Sequence, residues 1–203
     1  MHIVCSDLEG VFVPEIWVSV SSHTGIDELK LTTRDISDYH ILMTRRLELL
    51  KKYGLTLRDV QNVISLLKPL PGALEFIDWL RSKTQLIIVS DTFTEFADPL
   101  ISQLGRPTLF CHHLNTDSEG NITDYILRQE DGKKHVVEAL QSLKYNVIAI
   151  GDSYNDISML RKADHGILYN PPQNVADENS DLKNVKTYAS LKRIISQLIN
   201  GEE

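Results

Sequence analysis

The chain has 203 residues, 42% of them apolar and 24% charged, and a formal net charge of −7. That is the composition of an ordinary globular protein with one domain, or one core carrying a smaller insertion. The negative balance and the lack of a long basic run argue against nucleic acid and anionic membrane surfaces as partners. No apolar run approaches the ~20 residues that span a bilayer. No basic region precedes an apolar stretch at the start of the chain, so no signal peptide is expected and the cytoplasm is the expected compartment. Cys5 and Cys111 both lie in apolar runs, which predicts buried free thiols and no disulfide.

Taken in order, Ile3-Val4-Cys5 reads as a strand buried on both faces. It runs at once into Asp7 and Glu9, one residue apart, and then Gly10. Pro14 marks a break, and residues 16 to 68 read as mostly helical. Ile16, Trp17 and Val20 form one apolar face that stops at Gly25, and a longer helix with Ile41, Leu42, Leu47, Leu49 and Leu50 ends near Gly54. Thr56 with Asp59 three residues on resembles a capping box opening a helix over 57–67. Pro69-Leu70-Pro71-Gly72 punctuates the return to strand–helix alternation.

A helix over 73–82 leads into the strand 85–89, closed by Ser90-Asp91-Thr92, which is well suited to begin the next helix. That helix is expected over 95–104, stopping at Gly105, with a strand over 108–111, a turn over 116–121 and a returning hairpin strand over 122–127. The pattern then repeats: helix 134–143, strand 146–150, the polar string Gly151-Asp152-Ser153-Tyr154-Asn155-Asp156, helix 157–162 and strand 167–169. Ser190 is the expected cap of a final amphipathic helix over 191–199. His112 and His113 should point to opposite faces of their strand, and Trp17 and Trp79 should pack on helix faces.

Apolar strands alternating with helices predict an α/β fold, a Rossmann-like, mostly parallel sheet with helices on both faces. The insertion makes a small α-helical cap after the first strand, giving a core of residues 1–14 and 70–203 and a cap of residues 15–69. In such sheets ligands bind beyond the carboxyl ends of the strands. Three strands end in polar clusters, and side by side they would converge. Asp7 and Asp152 then supply opposed carboxylates for Mg²⁺, which keeps one or two carboxylates and completes its shell with water and phosphate. Asp7 is placed to attack phosphorus and form an aspartyl-phosphate. Glu9 could protonate the departing alkoxide and later deprotonate the incoming water. Ser90 and a lysine would hold the remaining phosphoryl oxygens.

These strings resemble the haloacid-dehalogenase-type phosphatases, in the right order over the whole core. Asp7-Leu8-Glu9-Gly10-Val11 is similar to their first motif, Ser90 to the second and Gly151-Asp152-Ser153-Tyr154-Asn155-Asp156 to the fourth. The helical insertion resembles the cap of the phosphoserine phosphatase branch. Val13-Pro14-Glu15-Ile16-Trp17, Leu67-Lys68-Pro69-Leu70 and Ser90-Asp91-Thr92-Phe93 narrow the likeness to bifunctional members of that branch, which also hand the phosphoryl group to homoserine.

The resemblance implies Asp7 as nucleophile, Glu9 as acid/base, and Mg²⁺ held by the side chains of Asp7 and Asp152 and the backbone carbonyl of Glu9. It implies Ser90 and Asn155 on the phosphate, with Lys133 or Lys134 as the motif lysine, Lys133 being the better aligned. Glu15 would recognise the substrate amine and Arg46 its carboxylate, although Thr44 falls where the family arginine aligns without gaps. Asp156 would orient the lysine and the metal's waters. Two departures stand out: Glu9 where most of the superfamily has Asp, and Asp91 where phosphoserine phosphatases usually have Gly. The implied partners are phosphoserine and, as alternative acceptor to water, homoserine. A homodimer is compatible with the likeness, though no residue pattern encodes assembly. Two other readings remain: the same chemistry on another small phosphate monoester, and a non-catalytic, receiver-like phospho-acceptor domain. The helical insertion and the built-in base Glu9 stand against the second.

Overall fold

The computed structural model describes residues 1–33, 35–36 and 38–201. Among them seven strands form one sheet: β1 (His2–Ser6), β2 (Gln85–Phe93), β3 (Thr108–Thr116), β4 (Ile122–Ile126), β5 (Asn146–Gly151), β6 (His165–Tyr169) and β7 (Lys183–Val185). Their order is β4-β3-β2-β1-β5-β6-β7. Every pairing is parallel except the β3–β4 hairpin. The helices are α1 (Ile16–Thr24), α2 (Tyr39–Tyr53), α3 (Leu57–Leu66), α4 (Ala73–Arg81), α5 (Thr94–Gln103), α6 (Gly132–Ser142), α7 (Ile157–Lys162), α8 (Gln173–Glu178) and α9 (Tyr188–Asn200). No helix among the described residues is long and apolar enough to cross a membrane.

Alternation along the strands divides the core. Val4, Ile88, Ile148 and Ile150 enter one apolar cluster, while Ile3, Cys5, Val89, Val147 and Ala149 enter the other. Register sets Val4 beside Leu86 and Ile148, and Cys5 beside Ile87 and Ala149, so like faces align across the sheet. The first cluster is closed by apolar residues of α4, α5 and α9, such as Phe76, Leu100 and Ile195. The second is closed by Val136 and Val137 of α6, Met159 and Leu160 of α7 and Val175 of α8. This is the expected α/β sheet covered on both faces.

Helices α1 to α3 do not form a separate core. Val20, Met43, Leu50, Val63 and Ile64 belong to the same cluster as the sheet residues. Trp17 of α1 packs edge-on against Phe96 of α5 at 5.7 Å between centroids.

Local signals held where a side chain could act on its own backbone. Gly25 and Gly54 end α1 and α2 in left-handed conformation, and Thr56 and Asp59 form both halves of a capping box. Both cysteines are free and buried. His112 is buried and His113 exposed, as strand alternation requires.

Several boundaries moved. Thr187, not Ser190, caps the last helix: its hydroxyl accepts from Ser190 N at 3.2 Å, so α9 begins one turn earlier. Strand β2 continues through Ser90-Asp91-Thr92 to Phe93, and α5 starts only at Thr94. Pairing with β3 shifts register between Val89 and Phe93, so the polar triplet sits in a bulge instead of a helix start. Bulges at sheet rims re-aim side chains beside active sites. Strand β3 runs on to Thr116 because β4 pairs with it from His113 onward. Strand β7 and helix α8 carried no periodic signal, being only three and six residues long.

Candidate active site

Strand β1 sits at the centre of the sheet, between β2 and β5. The chain leaves it toward β2 and β3, then returns to its other side at β5. That reversal opens a crevice at the carboxyl end of β1, where open α/β sheets bind ligands. Asp7, Ser90, Asp91, Asp152, Asn155 and Asp156 all follow or end β1, β2 and β5.

Lys133, in the first turn of α6, is the hub. Its Nζ lies 2.7 Å from Asp156 Oδ1, 3.0 Å from Asp7 Oδ1 and 3.4 Å from Asp91 Oδ2. Burial alone would lower its pKa, but Asp156, Asp7 and Asp91 together hold the ammonium well above its ordinary value. Lys134 instead points outward, 3.9 Å from Asp131 at the helix surface.

Asp7 is anchored from two sides. Its backbone N–H donates to Ile150 O at 2.9 Å, and its Oδ1 accepts from Leu8 N at 2.8 Å. Burial, and after it Asp156, pushes its carboxyl well above the usual carboxylate range, against the pull of Lys133. Asp156 is fully buried and fully engaged. Its Oδ1 takes Lys133, while its Oδ2 accepts from Asp152 N at 2.9 Å and Ser153 N at 3.1 Å.

The oxygens of Asp7, Asp152 and Asp156 come within 4.8 Å of one another, and a purely oxygen donor set suits a hard divalent cation. Since both Asp156 oxygens are committed, Asp7 and Asp152 are the carboxylates that could take it. Gly10 makes this approach feasible: it has φ +72°, and a Cβ there would lie 2.4 Å from Asp152 Oδ2. Only glycine lets the first-motif loop lie against that carboxylate. The acidic set here exceeds the one buried lysine, so a divalent cation fits the local charge.

Glu9 extends from the same loop, where its Oε2 accepts from Ile16 N at 2.7 Å. It thereby satisfies an orphan N–H at the start of α1 and couples the loop to that helix. Burial, then Glu15, raises its pKa to about 7. Arg46 is buried beneath α1, its guanidinium 4.6 Å from the centre of the Trp17 ring, with Nη2 donating to Leu31 O at 2.9 Å. Its Nε has no hydrogen-bond partner among the described residues, and burial lowers the guanidinium pKa to about 10. Thr44 lines outer grooves and lies away from this cleft.

Asp7, Glu9, Glu15, Arg46, Ser90, Lys133 and Asn155 line one cleft of about 70 Å³. Asp152 and Asp156 lie behind it. A neighbouring cavity of about 610 Å³ shares Tyr39, Asp91, Lys133 and Asn155 with the cleft. Sequence reading gave no role to Tyr39, His112 or Asp91. Only Asp91 carried a signal, as an acid inside the Ser90-Asp91-Thr92 string; the other two depend on tertiary packing.

A family model described as haloacid dehalogenase-like hydrolase matches residues 15–164. The chain is 55% identical over 193 residues to a Pseudomonas aeruginosa protein named phosphoserine phosphatase ThrH, covering 95% of this chain and 94% of that one. It is 52% identical over 202 residues to a phosphoserine phosphatase of Pseudomonas syringae pv. tomato, covering 100% of this chain and 85% of that one. A solved phospho-aspartyl intermediate analogue of phosphoserine phosphatase superposes with a TM-score of 0.76 at 23% identity, over 96% of this chain and 97% of the other. That likeness shows the fold alone. Family membership rules out the receiver-like reading: the chain, whose acids converge at the ends of β1, β2 and β5, belongs to the haloacid dehalogenase-like hydrolases.

Proposed function

We propose that this chain hydrolyses L-phosphoserine through an aspartyl-phosphate on Asp7, with residues 15–69 as a helical cap over a core of residues 1–14 and 70–203. The observation that carries the reading is Lys133 Nζ at 3.0 Å from Asp7 Oδ1, inside a cleft that also holds Glu15 and Arg46. A nucleophile beside a fixed cation suits attack on phosphate, and an acid paired with a guanidinium suits an amino acid. The names of the two Pseudomonas relatives support phosphoserine as the substrate.

In the first half-reaction a carboxylate oxygen of Asp7 attacks phosphorus, the new O–P bond forming as the bond to the serine oxygen breaks. Glu9 gives that oxygen its proton. In the second, Glu9 takes a proton from the incoming hydroxyl as its oxygen attacks phosphorus, and the Asp7–phosphorus bond breaks. Ser90, Lys133 and Asn155 hold the phosphoryl oxygens throughout. The Arg46 guanidinium, whose Nε is buried without a partner among the described residues, donates to the substrate carboxylate, and Glu15 accepts from its ammonium. Mg²⁺ held by Asp7, Asp152 and the Glu9 carbonyl would neutralise phosphoryl charge when bound.

Water and homoserine differ only in which hydroxyl Glu9 activates, and the likeness of the cap and second-motif strings to bifunctional enzymes supports homoserine as a second acceptor. The test incubates protein, Mg²⁺ and phosphoserine with and without homoserine. Phosphohomoserine should form only with the acceptor; equal phosphate release in both tubes and no phosphohomoserine rejects the transfer. Asp7→Asn should abolish turnover and phospho-enzyme trapping, and surviving activity would remove Asp7 as nucleophile.

A further inference from the structure

We propose that Asp91 is a positioning residue: it is the second fixed leg of a tripod that aims Lys133 at Asp7, and it sets the amide of Asn155 toward the phosphoryl group. The proposal rests on the aspartyl-phosphate reading above.

An ammonium has three N–H donors, and Lys133 meets three carboxylates, Asp156, Asp7 and Asp91. Two of these are anchors. Asp91 belongs to β2 and Asp156 follows β5, and these strands flank β1 on either side. Held from both sides, Nζ is centred over the end of β1, where Asp7 stands. When an Asp7 oxygen is engaged at phosphorus, Asp91 and Asp156 still fix the ammonium. Without Asp91 only Asp156 remains, and a four-carbon stem can swing about a single contact.

The same carboxylate orients Asn155. Its Oδ2 accepts from Asn155 Nδ2 at 2.7 Å, while Asn155 Oδ1 accepts from Ser153 Oγ at 2.5 Å. The Ser153 hydroxyl could serve either orientation of the amide, but the acceptor-only carboxylate of Asp91 fixes it with Nδ2 toward Asp91 and its second N–H left for a ligand. Asp91 is itself over-determined. Its carbonyl accepts from Tyr39 Oη of α2 at 3.0 Å, and the bulge in β2 turns the residue toward the cleft. On its far side lies the buried His112. Arg128 N donates to His112 Nδ1 at 3.1 Å, so Nε2 carries the proton, 3.6 Å from Asp91 Oδ1. Tyr39 therefore holds Asp91 by its backbone and His112 flanks its side chain, which contacts two of the three phosphate-binding groups, Lys133 and Asn155.

The experiment compares wild type with Asp91→Ala and Asp91→Asn. Activity is read with p-nitrophenyl phosphate and phosphoserine, and Lys133 geometry with its ¹⁵N-resolved ammonium resonance. Asp91→Ala should lower kcat about 10- to 100-fold, as the loss of an outer-shell partner does for a metal ligand, with much less effect on KM. Its Lys133 resonance should broaden or shift. Asp91→Asn keeps an oxygen acceptor and should recover most of the lost kcat together with the wild-type resonance. Should Asp91→Ala fail to fold, Asp91→Ser is read in the same way. Wild-type kcat in Asp91→Ala, or lost activity with an unmoved resonance, overturns the proposal. A wild-type protein that hydrolyses neither ester rejects the phosphatase reading instead, and the resonance then decides the tripod alone.

Discussion

Two adjacent lysines show what a single side chain decides. Lys133 pairs with two buried carboxylates, Asp7 and Asp156, and with the partly exposed Asp91, so Lys133→Ala leaves them without a cation and should cost about 3–5 kcal/mol in denaturant unfolding, besides abolishing turnover. Lys134→Ala removes a half-exposed ammonium 3.9 Å from Asp131 and should stay within about 0.5 kcal/mol with normal kcat. Equal effects in the two variants would contradict the assignment of the motif lysine. Glu9 is the other residue-scale test. With its pKa raised to about 7 it can donate and accept a proton near neutrality. Glu9→Gln should lower kcat about 10²- to 10⁴-fold, the range for lost general acid–base catalysis, while the phosphate ligands keep KM near normal.

At the scale of elements, the helices after β1 are held by local capping as well as by the shared apolar core. Thr56 and Asp59 cap α3 reciprocally, and Leu57 N also donates to Gly120 O at 2.9 Å, tying α3 to the β3–β4 turn. Hydrogen bonds from the Thr56 side chain and backbone hold the Asp59 carboxyl below its ordinary value. As pH falls, the unfolded chain therefore takes up this proton first. The contribution of the box is present above about pH 4 and is lost as pH falls through the folded value. Thr56→Ala should cost about 1 kcal/mol at pH 7 and less near pH 3, read as the difference between urea midpoints at the two pH values. A constant difference would mean that the carboxylate contributes nothing to the cap.

For the molecule as a whole, the site gathers more acid than base, and its stability should depend on a divalent cation. At a Mg²⁺ concentration one hundred times its Kd, binding to the folded state alone adds about 2.7 kcal/mol. Thermal unfolding with and without Mg²⁺ should show a raised Tm, and Asp152→Asn should remove the shift. An identical Mg²⁺ shift in Asp152→Asn would place the cation elsewhere. The cleft is small, about 70 Å³ where ligand pockets usually measure ~300–1,000 Å³, and it shares Tyr39, Asp91, Lys133 and Asn155 with the neighbouring cavity of about 610 Å³. Helices α1 and α2 supply Trp17, Tyr39 and Arg46 to its walls, so the helices after β1 and the rim of the sheet shape the cleft together.

The amino-acid sequence by itself determined the faces and the ends. Apolar runs such as Val147 to Ile150 made strands buried on both sides, and the polar strings after them marked the rim of the sheet where Asp7, Ser90 and Asp152 meet. Capping at Thr56 and the glycine stops were legible because they involve only residues three or four apart. What tertiary structure decided was direction. Lys133 and Lys134 are about 100° apart around a helix, so the docking of α6 alone chooses which enters the cleft. Asp91 looked like part of a helix start until pairing with β3 drew it into a bulge. Glu9, the departure from the common pattern, proved to reach the first N–H of α1, a contact between loop and helix that no local spacing records. Side-chain aim depends on how elements pack against one another, and packing is set by the whole chain at once.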